Sequence, residues 1–199
     1  AKNLLLQSNV RCLCTTDDPA DTLQWHDRIS EEEDFPVQVL PAWRPDRAMN
    51  IEKQEYPEYL EKLEDVSRRD IHSFGDLTET LQSRMDYFTQ RGCCVADHGL
   101  EYVMYVPASR EELENIFAKG RSGKALSQRE ILQYKTALLL WSAREYHKRG
   151  WAMQLHYGVK RDNNTRLRHA LGPDAGADCI RGSAPAGGLT DFLNALAAA

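Results

Sequence analysis

The chain has 199 residues, 42% hydrophobic and 28% charged, as an ordinary globular domain does. A formal net charge of −5 gives no electrostatic case for nucleic acid, and no stretch approaches the roughly 18 consecutive apolar residues of a membrane span. The opening AKNLLLQSNV is too short an apolar run for a secretory signal, and the five cysteines lack C-x-x-C spacing, so they read as small, buried, reduced thiols of a cytoplasmic protein.

The first apolar segment, VRCLCTTDD (10–18), is too short for a typical helix and rich in strand formers, and it reads as a buried parallel strand. VQVLPAWRPD (37–46) reads as a second. The spacing then predicts a helix over 56–67, with Tyr59, Leu60 and Leu63 on one face. A longer helix over 73–91 opens with Ser73 and an acid three residues on, buries Leu77, Leu81, Met85 and Phe88, and stops at Gly92. CCVADHG (93–99) is the third strand. Two more capping boxes, Ser109 with Glu112 and Ser127 with Glu130, open helices over 109–119 and 127–149, and Gly150 ends the second of these. AMQLHYG (152–158) is the fourth strand, and a tail helix spans 188–199.

Strands alternating with helices imply a parallel α/β sheet. No G-x-G-x-x-G or P-loop supports an open nucleotide-binding sheet. Polar residues at the C-terminal end of every strand suit a (β/α)8 barrel, whose chemistry sits on that face. Four strands make half of one.

The strand ends hold the candidate chemistry. Asp17 and Asp18 are adjacent, so only one faces the barrel axis, and Asp-Asp-Pro is also good turn chemistry for a short helix near Ala20. Arg44 carries a planar guanidinium that holds a carboxylate through two parallel hydrogen bonds. That carboxylate is either a ligand's or belongs to Asp17, Asp18 or Asp46. Asp97 and His98 also alternate in direction. An inward Asp97 serves as a general base or orients a ligand hydroxyl; otherwise it is a turn aspartate. His156 is a site residue or a hydrogen-bonded core histidine. The loop beyond it, with Arg161, Asn163, Asn164 and Arg166, binds a polyhydroxylated acid or holds the rim. His26, His72, His147 and His169 have no metal spacing, and H-E-x-x-H and nucleophile-elbow motifs are absent.

Taken together, CTTDDP, LPAWRPDRAMNIEK, ADHGL and QLHYG followed by RDNNTR resemble the uronate isomerase (glucuronate isomerase) family of the amidohydrolase superfamily, over about residues 10–171. LGPDAGADCI resembles the family's loop after the histidine strand. The resemblance implies a (β/α)8 barrel that interconverts D-glucuronate with D-fructuronate and D-galacturonate with D-tagaturonate. A proton moves from C2 to C1 through a cis-enediol. It implies that residues 1–199 are one partial barrel domain, strands two to five of eight, truncated at both ends relative to the family. By the same resemblance Asp97 and His156 are catalytic, and Arg44 contacts the substrate carboxylate with Trp43 and Arg166 as further substrate contacts. His156 lies at one divalent metal, zinc, whose other ligands fall outside the chain, and this segment alone binds none firmly. Tyr157, Lys160 and Asp162 depart from the family pattern at the pocket rim. The expected partners are hexuronate sugar acids and either the remainder of the barrel or further copies in a homo-oligomer, with no nucleic acid or membrane. The segment alone is expected to be inactive. The alternatives are a non-catalytic uronate-binding or assembly fragment and a superfamily hydrolase.

Overall fold

Short apolar runs that end in polar residues become parallel strands here, and the helices between them start where the serine caps sit. The computed structural model describes residues 1–172, 175–180 and 186–198. In chain order these form α1 (Lys2–Gln7), β1 (Cys12–Cys14), α2 (Gln24–Ser30), β2 (Gln38–Leu40), α3 (Asp46–Met49), α4 (Tyr56–Ser67), α5 (Phe74–Thr89) and β3 (Val95–Leu100). Then follow α6 (Arg110–Arg121), α7 (Gln128–Arg149), β4 (Ala152–Tyr157), β5 (Val159–Lys160), α8 (Thr165–Leu171), β6 (Cys179–Ile180) and α9 (Ala186–Ala197).

β1 pairs in parallel with β2, and β3 in parallel with β4. A single bridge, Trp43 to Ala96, joins the two pairs, and a second, Asp17 to Trp43, extends the first pair. The order is therefore β1-β2-β3-β4, consecutive and parallel, with helical crossovers of the kind parallel strands require.

All three predicted capping boxes are present, at Ser73–Asp76, Ser109–Glu112 and Ser127–Glu130. Gly150 caps α7 with φ 67°, a left-handed conformation that costs glycine little. One face of the sheet lies under the helices, where Trp43, Ala96 and His98 are fully buried. Trp43 packs edge-on against Phe88 at 5.0 Å, and Tyr146 stacks on Trp151 at 5.8 Å. The other face carries Cys12, Cys14, Gln154 and His156, all exposed.

That second face corrects the expectation of buried thiols. Cys93 is buried, whereas Cys12, Cys14, Cys94 and Cys179 are exposed. Alternation turns Cys12 and Cys14 away from the helices. The antiparallel β5–β6 pair and the single-turn helix α3 were not legible in the sequence pattern. Pro173 and Asp174 of the LGPDAGADCI stretch, and Ala199 at the end of the tail helix, lie outside the described residues. Among the described residues no helix is long and apolar enough to cross a membrane.

Candidate active site

β2 proper ends at Leu40, but Pro41 to Arg44 remain threaded between the neighbouring strands. Trp43 N–H donates to Val95 O at 3.0 Å, Asp97 N–H to Trp43 O at 2.9 Å, and Arg44 N–H to Asp17 O at 2.9 Å. Because Trp43 points into the core, alternation turns Arg44 to the opposite face. Its Nε donates to Asp46 Oδ2 at 2.8 Å, and its Nη1 lies 3.3 Å from Asp97 Oδ2. The anionic partners seen for Arg44 are thus carboxylates of the protein, one of them the expected Asp46.

Asp46 is the first residue of α3 and is itself fixed at both oxygens, since Oδ1 accepts the Gly99 N–H at 3.1 Å. Gly99 is needed there. A Cβ at that position would stand 2.6 Å from Arg44 Nη2 and 2.8 Å from Asp46 Oδ2. The guanidinium lies across the bare Cα of β3.

Adjacent on β3, Asp97 and His98 point oppositely. Asp97 meets Arg44, while His98 is buried, with Nε2 3.0 Å from the Tyr146 hydroxyl. Burial first, and the Arg44 charge second, push the His98 pKa down to about 3. In the β3–β4 register Asp97 is opposite Gln154 and Gly99 opposite His156. Asp97 and His156 therefore share a face, their Cα atoms about 8 Å apart from strand spacing and rise. His156 is exposed and, with Asp46, Gly99, Glu101, Lys135 and Arg161, lines a cavity of about 480 Å³.

The two aspartates after β1 do other work. Asp17 Oδ2 accepts from Thr15 Oγ1 at 2.6 Å and from the Ala42 N–H at 3.1 Å, and Thr15 Oγ1 also meets His26 Nε2 at 2.8 Å. These bonds tie the end of β1 to β2 and α2. Asp18 Oδ1 accepts the Ala20 N–H at 2.9 Å, the turn role, and burial pushes its carboxyl up.

Two expected substrate contacts stand elsewhere. Trp43 is 0% exposed and supports the strand end from behind, because a large apolar ring at that position gains more under α5 than at a wet mouth. Arg166 is exposed on α8 and, like Arg44 and Asp97, is not among the residues lining the cavity, but unlike them it does not stand at a strand end. Arg161 does line the cavity, and also bridges Asp178 at 2.8 Å. Gly99 was missed as a site residue, and Asp46 was named only as a possible partner of Arg44. Their signals were the second-neighbour spacing Arg44-x-Asp46 and the glycine in ADHG.

Imidazole is a donor zinc accepts, but one imidazole does not fix a metal. Among the described residues no group of three or more His, Cys, Asp or Glu side chains is placed to hold one.

A family model described as glucuronate isomerase matches residues 1–199. Over 195 residues the chain is 52% identical to a uronate isomerase of Lachnospira eligens, covering 98% of this chain and 42% of that protein. The crystal structure of a uronate isomerase from Thermotoga maritima superposes with a TM-score of 0.92 at 34% identity, over 98% of this chain and 43% of that one. For a glucuronate isomerase from Caulobacter crescentus the values are 0.87 and 27%, over 98% and 40%. The chain spans about two-fifths of the length of these relatives.

Proposed function

The chain belongs to the glucuronate isomerase family, and on that premise we propose that it supplies four consecutive strands, the second to the fifth, of a (β/α)8 barrel that interconverts aldose and ketose hexuronates. The observation that carries the reading is the strand-end face itself. A guanidinium held at Nε, an aspartate within 3.3 Å of its Nη1 and a histidine on the next strand stand together on the side away from the helices. Residues 1–199 then form one partial barrel domain, and the exposed face of β4 is covered by the remainder of the barrel or by a second copy.

The reaction moves one proton from C2 to C1 and one from the C2 hydroxyl to the carbonyl oxygen, with no net change of atoms. In this chain Asp97 and His156 are the groups positioned to accept and return protons. Arg44 orients the sugar by its carboxylate. Binding is an exchange: the substrate carboxylate takes Nη1 from Asp97, and the freed aspartate oxygen turns to the substrate. A divalent metal beside His156, held by ligands from outside the chain, would polarise the carbonyl oxygen.

The test is Arg44→Lys in the complete enzyme that contains this chain. An ammonium cannot reproduce the planar fork, so KM for hexuronates should rise by about 10- to 100-fold, the equivalent of one charge-assisted hydrogen bond. Circular dichroism should show an unchanged fold. Unfolding of the variant, or an unchanged KM, would remove Arg44 from the substrate site.

A further inference from the structure

Arg44 is gripped by two carboxylates of different character. Asp46 holds Nε at 2.8 Å, while Asp97 stands 3.3 Å from Nη1. Asp46 is anchored beyond the arginine as well: Oδ1 accepts the Gly99 N–H, and Asp46 begins α3, whose Ala48 carbonyl accepts the buried Tyr134 hydroxyl at 2.8 Å. Tyr134 in turn meets the Tyr56 hydroxyl at 2.7 Å. Arg47 on the same turn lies 4.7 Å over the Tyr59 ring. The carboxylate on Nε is therefore part of a rigid frame built from α3, α4, α7 and β3.

We propose that Asp46 is the positioning residue of the hexuronate site, holding Arg44 by Nε so that the Nη end is presented ready-ordered to the substrate carboxylate, with Gly99 leaving the space in which the guanidinium lies. This rests on the isomerase reading of Arg44. An arginine side chain free to rotate loses rotamer freedom on binding, and one already clamped loses less. The division of labour follows from the distances. The shorter, doubly anchored partner stays, and the longer contact yields to the ligand.

The test uses the complete enzyme. Asp46→Asn keeps an oxygen for the Gly99 N–H and the side-chain shape, but removes the charge on Nε. KM for glucuronate should rise about tenfold, with kcat falling threefold or less. The inhibition constant of a six-carbon sugar acid should rise in parallel, and that of the matching neutral sugar alcohol should not. Gly99→Ala, whose Cβ crowds both the guanidinium and Asp46 Oδ2 and so breaks their pairing without removing either charge, should give the same split. It carries the test if Asp46→Asn does not fold. Equal weakening of acid and alcohol, no change, or tighter acid binding overturns the inference, as does unfolding of both variants. If the unsubstituted enzyme does not bind hexuronates, the isomerase reading fails and takes this inference with it. Hexuronate binding that Asp46→Asn leaves unmoved removes this inference alone.

Discussion

Asp97 and His98 are neighbours on β3, yet one faces the site and the other is sealed beneath the helices. Alternation was legible in the sequence, but which of the two faced inward was not, because both are polar. The register decides it: Ala96 is bridged to Trp43, so Asp97 takes the Arg44 side. His98 is neutral in the fold, with its pKa pushed down to about 3 from an ordinary 6.5. The folded pKa lies below the unfolded one, so as pH falls the unfolded chain takes up the proton first. Stability from this residue is complete above about pH 6.5 and is lost as pH falls toward about 3, at no more than about 1.4 kcal/mol per pH unit. Urea unfolding at pH 7, 6, 5 and 4 should show this slope, and His98→Gln should reduce it. An equal slope in the variant would place the titration in another group.

Helices were the most legible elements, because their start and stop signals are local. α4 has the bounds its apolar spacing gave, and each capping serine binds the backbone three residues on. Ser73 opens α5, whose Arg84 donates to the Pro19 carbonyl at 2.7 Å and the Asp21 carbonyl at 2.6 Å. The helix therefore also holds the loop after β1. Ser73→Ala leaves the Asp76 N–H without its 3.0 Å acceptor and should cost about 1 kcal/mol, or about 2–4 °C in Tm for a chain this size. A thermal melt checks this, and an unchanged Tm would mean the cap adds nothing. Elements held by distant partners left no such signature. α3 is one turn fixed by Tyr134 from α7, and β5–β6 is fixed by Asp178, which meets Arg161 at 2.8 Å and the Asp162 N–H at 2.9 Å. Pairings between residues 16 or more apart cannot be read from spacing.

Across the whole molecule, a sheet is buried on one face by helices and bare on the other, where the polar strand ends gather. Relatives that share this fold are more than twice as long as the part matched, with 42% of the Lachnospira eligens protein covered. Arg44, Asp97 and His156 were named in the sequence as single candidates, and a complete site was not. Sequence motifs marked each strand end, but the described residues include no metal-ligand cluster, and β4 exposes the face on which His156 stands. On the proposed reading this face works only inside a closed barrel. Its most direct test is ketose formation from D-glucuronate, followed for the 199-residue chain alone and for the complete enzyme that contains it. Conversion is expected from the complete enzyme and none from the chain alone; conversion by the isolated chain, or none by the complete enzyme, would overturn the barrel reading.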